Sequence, residues 1–421
     1  VETQATRAKA EGLAALGPDD WRRLGSSFRA RPVAATLAKA RTVMQGLGIS
    51  RVTDITRMDT LGLPVFASIR PRGQVLNVHA GKGLLPAEAE IGALMEALEY
   101  AAAEPHRSAW TPRRMTVAAL AAQWPPGVQW VDFAPELGQP TAPSDELSTV
   151  ECERLRYGGR FQLPAELVFM PWEPADELRA FGWTSNGLAS GNTPEEATLH
   201  ALFEVLERDA LSMQRARDES QWVRPESLPA PFCELATAWR SRGVHLAVRH
   251  LPNAFGLPCF EACLHETGGQ HVNLASGSGL HLDREIALTR AICEAAQSRL
   301  SHIHGGREDI TLFYAKYAPG QTQARCEQEA AAARRFFDTE HCIDLGGVPD
   351  VPTPKRTLAT VLDDLLLRLA EAGFDVVFRH HFALDLGGLH VVKVIVPRCE
   401  QLEAYNRRMG PRLLARVVAD G

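Results

Sequence analysis

The sequence predicts a mixed α/β (α+β) protein, and three observations carry that prediction. Several apolar stretches repeat with the helical period, while others are short, β-branched or alternating and read as strands. The composition, 45% hydrophobic and 23% charged over 421 residues, is that of an ordinary globular chain long enough to bury a large core and divide into subdomains.

Taken in order, a helix is expected near Val33 to Gly46, then strands from Pro64 to Arg70 and from Val75 to Ala80. A turn at Gly81-Lys82-Gly83 leads into a second helix, with Pro86 near its start and Glu88 and Glu90 where acids suit the helix dipole. The stretch from Trp110 to Tyr157 is rich in Pro and Trp and weakly periodic, which suggests an irregular, surface-running insertion with some short strands. Strands near Phe169 and Trp183 precede another helix. Val244–Leu251, Pro258–His265 and His271–Ser276 are then strand candidates ahead of a further helix. From about Thr322 the chain is helical, loops through Gly346 to Pro354, forms a helix to Ala372 and closes with strands at Asp375–Phe382 and His390–Val396.

Three of the helices share a pattern: Ala93-Leu-Met-Glu96-Ala-Leu-Glu99, Ala201-Leu-Phe-Glu204-Val-Leu-Glu207 and Arg290-Ala-Ile-Cys-Glu294-Ala-Ala-Gln297. In each, two oxygen-bearing side chains three residues apart project from one side of an otherwise apolar helix. A single helical glutamate is ordinarily a solvent-edge residue. Near-repetition of the same seven residues argues against three unrelated surface helices. Acids drawn into a low-dielectric interior need cations, protons or donors, and three such helices supply enough oxygens for magnesium.

Net charge is −6, with no basic stripe, which argues against a nucleic-acid partner. The eight cysteines form no CxxC pair, and no apolar run reads as a signal peptide or membrane span, so a reduced, cytoplasmic protein is expected.

The sharpest local signal is Ser185-Asn-Gly-Leu-Ala-Ser-Gly-Asn192-Thr193-Pro194-Glu195-Glu196. It joins a Gly-rich turn to a helix start in which Thr193 can cap, Pro194 fits the first position and Glu196 can close a capping box. Backbone amides there equally suit phosphate oxygens, so Glu196 serves the cap, a metal, or both. Glu196, His200, Glu204 and Glu207 share one ridge. The helix after Ser276-Gly-Ser-Gly279 should cap at Asp283, with Arg290 either pairing with Glu294 or contacting phosphate. His200 on its ridge more often means packing than chemistry, and Cys293 reads as a buried core thiol. His380 and His381 are adjacent in a strand and point to opposite faces. No Walker-type GxxxxGK[ST] is present, and the Glu-x-x-His pairs of redox di-metal carboxylate proteins are missing.

The runs SNGLASGNTPEEATLHALFEVLERDA, GSGLHLDREIALTRAICEAAQSRL and TRMDTLGLPVFASIRP followed by GKG resemble the YcaO family, over about Arg29 to Leu300. The resemblance implies a YcaO-like fold with antiparallel-rich sheets and carboxylate-bearing helices around a nonstandard ATP site, with ATP and Mg2+ as cofactors. It implies activation of a peptide backbone amide by phosphorylation of its oxygen, followed by attack of a Cys, Ser or Thr side chain to give an azoline, or of sulfide to give a thioamide. Carried over position by position, metal ligation falls to Glu96, Glu99, Glu196, Glu204, Glu207 and Glu294. ATP contacts fall to Arg29, Thr36, Ser190, Asn192, Glu196, Arg208, Arg290 and Gln297. The family often has Ser where this chain has Gly92, and Ser where it has Ala189 beside Ser190.

The implied organisation is an N-terminal α/β segment over 1–80, a nucleotide core over 81–310 with the insertion at about 110–157, and a C-terminal α/β subdomain over 311–421. Many azoline-forming members end in a Pro-rich tail, whereas this sequence ends Leu414-Ala-Arg-Val-Val-Ala-Asp-Gly421. Val391–Pro397 and Gly410-Pro-Arg412 look more like members acting with a TfuA-type companion, which implies thioamide formation on a peptide or protein substrate. The segment before Arg29 is too short for a leader-binding winged helix, so a separate leader-peptide-binding protein is a further expected partner. A homodimer is compatible with the sequence, and a non-catalytic ATP-binding scaffold is the competing expectation.

Overall fold

The computed structural model describes residues 22–267, 274–310, 322–353, 357–402 and 407–419. The predicted strand start at residues 271–273 lies outside them, as do residues 1–21 of the N-terminal segment.

The hairpin β1 (Arg22–Leu24) and β2 (Ser27–Arg29) is followed by α1 (Val33–Val43). An antiparallel sheet of β3 (Arg51–Asp54), β4 (Val65–Ile69) and β5 (Val78–Lys82) carries α2 (Pro86–Ala103) on its face. Then come β6 (Arg113–Thr116), the short α3 (Val117–Ala121), β7 (Glu146–Arg154), β8 (Arg160–Pro164), β9 (Leu188–Gly191) and α4 (Pro194–Ala216). Next are β10 (Gln221–Val223), α5 (Ala230–Arg240), β11 (Val244–His250), β12 (Cys259–Glu266), β13 (Leu274–Leu280) and α6 (Arg284–His304). The last described elements are α7 (Thr322–Phe336), β14 (Cys342–Ile343), α8 (Leu358–Glu371), β15 (Phe378–His381), β16 (His390–Ile395) and α9 (Pro411–Val418).

Two larger sheets complete the frame, one ordered β13-β12-β11-β10-β14 and one β6-β7-β15-β16-β9 with β8 also on β7. Every described strand pairing is antiparallel except β10 with β14, as expected for an antiparallel-rich mixed protein. Helix α4 packs on β9 and β16, and α6 on β12 and β13, so each carboxylate helix lies on a different sheet. Their apolar faces anchor separate clusters. Leu94 and Leu98 of α2 join Trp124, Phe169 and Phe378; Leu202 and Leu206 of α4 join Leu365 and Leu369 of α8; Leu288 and Ile292 of α6 join Val248 and Phe260. Each fully buried Leu or Phe stabilises by roughly 1.5–3 kcal/mol, enough in sum to hold an inward-facing row of acids.

Three local expectations are corrected. The region from Trp110 to Tyr157 is not a surface excursion: β7 runs inside a sheet with Leu147, Ser148, Thr149 and Val150 buried, and Trp124 packs on Trp130 and Phe133. Phe169 and Trp183 lie outside strands; the strands of that region are β8 and β9. Finally, β5 extends through Gly81 to Lys82, so the predicted turn is the end of a strand. No helix among the described residues is long and apolar enough to cross a membrane.

Candidate active site

The three carboxylate helices are built in one frame. Their N-caps are Leu85, Thr193 and Asp283. The fourth residue after each cap is Ala89, Ala197 or Ala287, the eighth is Ala93, Ala201 or Ala291, and all six are fully buried. These alanines meet strand glycines almost backbone to backbone. A Cβ on Gly81 would lie 2.1 Å from Ala89 O and Ala93 N, and one on Gly279 would lie 2.2 Å from Ala287 O and 2.7 Å from Ala291 N. A Cβ on Gly191 would stand 2.6 Å from Ala197 N. Only Gly opposite Ala allows such approach.

The same frame sets what enters the space between the helices. The eleventh residue after the cap is Glu96, Glu204 or Glu294, and the fourteenth is Glu99, Glu207 or Gln297. The seventh is Gly92, His200 or Arg290, and the third is Glu88 or Glu196, its counterpart on α6, Ile286, being buried in the core instead. The hairpin β1–β2 reaches the first turn of each helix: Arg23 pairs with Asp283 at 2.8 Å, Arg29 with Glu196 at 3.2 Å, and Glu88 takes the Leu84 amide beside Gly25.

All the residues expected to contact metal or ATP line one cavity of about 540 Å3: Arg29, Thr36, Glu96, Glu99, Ser190, Asn192, Glu196, Glu204, Glu207, Arg208, Arg290, Glu294 and Gln297. Their partners divide the carboxylates into two sets. Glu196 receives Arg29, the Ala30 amide and Asn192; Glu207 receives Ser278 at 2.6 Å, the Leu280 amide and Arg208; Glu294 pairs with Lys82 at 2.6 Å. Among the described residues Glu96, Glu99 and Glu204 have no ion pair; Glu96 accepts from the Ala80 amide and Glu99 from Ser190. Electrostatics follow this division. Burial, reinforced by Glu204 and Glu96, pushes the Glu99 carboxyl up to about 8, and burial beside Glu207 pushes Glu204 up to about 7. For Glu294 burial is outweighed by Lys82, Arg208 and Arg290, which hold it below the ordinary range.

Two sequence expectations change here. Thr193 caps α4 by accepting from the Glu196 amide, but the Glu196 carboxylate turns to Arg29 and Ala30 and closes no capping box. Glu294 pairs with Lys82 across the cavity and not with Arg290 on its own helix. Sequence reasoning missed Lys82, Tyr100, Arg307 and Asp309, which also line the cavity. Lys82 had a signal in its two flanking glycines; the Arg307–Asp309 pair had none.

The residues present fit a magnesium-bound triphosphate. The carboxylates are hard oxygen donors. Among the described residues no three Asp, Glu, His or Cys side chains are grouped closely enough to hold a metal by themselves. Buried polar atoms await partners: His200 Nδ1, Arg290 Nε and Gln297 Oε1 have no hydrogen bond among the described residues. Gln297 uses its Nε2 on Ala80 O, while burial near Arg290, Arg29 and Lys82 keeps His200 neutral.

Residues 80–400 match the family described as YcaO cyclodehydratase, ATP- and Mg2+-binding. A Methanothermobacter thermautotrophicus protein, itself described only as uncharacterized, is 33% identical over 88% of this chain and 94% of its own. A Rhizobium leguminosarum bv. trifolii protein, described as uncharacterized and in the tfuA 3′ region, is 29% identical over 88% of each chain. The structure of YcaO from Methanopyrus kandleri bound with AMPPCP and Mg2+ superposes with a TM-score of 0.70 at 25% identity, covering 91% of this chain and 95% of that one.

Proposed function

The chain belongs to the YcaO family, and from that premise we propose that it activates a peptide backbone amide and installs a thioamide with a TfuA-type companion. The observation that carries the catalytic part is the convergence of every predicted carboxylate, cation and amide, from four separate stretches of the chain, on one cavity. ATP with magnesium, when bound, supplies the phosphoryl group that turns an amide oxygen into a leaving group.

The chain's own residues then have separable tasks. Glu96, Glu99 and Glu204, which have no ion pair among the described residues, would hold the metal; Glu196, Glu207 and Glu294 complete that set from the side of the cations. Arg208 and Arg290 hold phosphoryl oxygens, and Asn192, fixed by Thr36 at 3.1 Å, orients the nucleotide beside Ser190 and Arg29. Gln297, anchored on Ala80, presents to a donor on the ligand an Oε1 that has no partner among the described residues. Placing these groups before the ligand arrives removes most of the reorganisation that would otherwise slow phosphoryl transfer.

The neighbourhood of tfuA noted for the Rhizobium relative supports the companion and, with it, the thioamide. The description of the family as cyclodehydratases favours a second reading, ring closure by a Cys, Ser or Thr of the peptide. Mass spectrometry of a candidate peptide after incubation with the protein, ATP, magnesium, sulfide and the companion separates them. Exchange of oxygen for sulfur raises the mass, and azoline formation lowers it by one water. Nucleotide binding without turnover under every combination would make the protein a scaffold.

A further inference from the structure

Lys82 projects from the end of β5 between two glycines that anchor its backbone: a Cβ on Gly81 would strike the α2 backbone, and one on Gly83 would lie 2.5 Å from Glu88 Cβ. Its ammonium sits on Glu294 Oε2 at 2.6 Å, and both side chains are about a quarter exposed to the cavity, at 26% and 24%. The other paired carboxylates are tied elsewhere as well, Glu196 to the Ala30 amide and Asn192, Glu207 to Ser278 and the Leu280 amide. Glu294 differs. Among the described residues Lys82 is its one hydrogen-bond donor, so this oxygen can change partners without stranding any other group.

We propose that Lys82 is a resident cation that occupies the metal's place on Glu294 in the free protein and transfers to the triphosphate when metal-nucleotide binds, so that metal and nucleotide enter together. The inference rests on the functional reading above and assigns a positioning and binding role to a residue that the carboxylate pattern does not include. A lysine suits it: the ammonium is compact, carries three donors and rides on a flexible stem, so it can leave a carboxylate for a phosphate. A divalent ion arriving alone would meet a positive charge already on its ligand. Arriving with triphosphate, it brings the oxygens that draw Lys82 off.

The test measures two constants on wild type, Lys82→Gln and Lys82→Arg. Mn2+ binding is followed by electron paramagnetic resonance without nucleotide, and binding of a nonhydrolysable ATP analogue with saturating Mg2+ by calorimetry. Lys82→Gln should bind Mn2+ alone about fivefold or more tightly and the analogue about tenfold or more weakly, the latter the size of a lost charged hydrogen bond. Lys82→Arg should stay close to wild type in both. Constants that move together, or only one that moves, or neither, would overturn the proposal. Failure of wild type itself to bind the analogue would sink the nucleotide reading instead, which keeps the two failures apart.

Discussion

Helices α2 and α6 share a frame and differ in what they carry. At the third, seventh, eleventh and fourteenth positions after the cap, α2 presents Glu88, Gly92, Glu96 and Glu99, whereas α6 presents Ile286, Arg290, Glu294 and Gln297. One wall is thus three acids and the other a balanced Arg and Glu with an amide. The contrast separates scaffold from chemistry. The Gly–Ala contacts that seat both helices are the same, so the divergence lies in the side chains at the other positions, of which Ile286 packs in the core and the rest line the cavity. The acidic wall is made to receive positive charge, while the opposite wall supplies it. Helix α4, with Glu196, Glu204 and Glu207 beside His200 and Arg208, lies between them in character.

Four measurements would break or sharpen this comparison. Removing an acid from the receiving side should do most. Glu204→Gln should lower peptide turnover at least about 100-fold and abolish metal-dependent nucleotide binding, because the lost charge is one that would hold the metal neutralising the transferring phosphoryl group. Unchanged turnover would remove Glu204 from the mechanism. The shared scaffold comes next. Gly81→Ala and Gly279→Ala should each cost several kcal/mol, about 3 or more, since the clash is with main chain and no rotamer relieves it. If chemical denaturation finds either one near neutral, the two units are not seated alike.

On the supplying side, Arg290→Met should leave folding intact and weaken nucleotide binding roughly 10-fold to 100-fold, the worth of a charged hydrogen bond. An equal loss of metal binding without nucleotide would contradict the division of labour. The smallest effect is on pH. Glu99 and Glu204, held up to about 8 and 7, keep protons in the folded protein that the unfolded chain has released by about pH 6. With more protons bound in the folded state, this contribution to ligand-free stability falls as pH rises from about 4.5, where the unfolded glutamates ionise, and levels off above about 8. Melting by calorimetry should show a drop of a few degrees, about 1–3 °C, that Glu99→Gln reduces and magnesium with nucleotide erases. A melting temperature that rises over that window would reverse the sign and the argument with it.

Much of this was legible in the sequence, for identifiable reasons. Helix periodicity, Thr193 and Asp283 as caps, and the paired oxygens on one ridge are local properties, and all appear where predicted. Strand β7 was obscured because Pro and Trp around it masked a buried run whose partners, β6, β8 and β15, include a strand more than two hundred residues away. Glu196 matched a capping box locally, yet Arg29 and the Ala30 amide, distant in sequence, compete for the same carboxylate and take it. The Lys82–Glu294 pair likewise joins the end of a strand to a helix seated on another sheet, which no spacing rule connects.

The seating of alanine on glycine bears on how the molecule tolerates change. Because each row of acids is indexed to a neighbouring strand through main-chain contact, the spacing of the cavity does not depend on which large apolar residues fill the rest of the interior. Leu, Ile, Val and Phe beneath the helices can therefore drift among one another over generations while the ligand-facing rows stay in registration, like type locked in a frame whose backing is replaced.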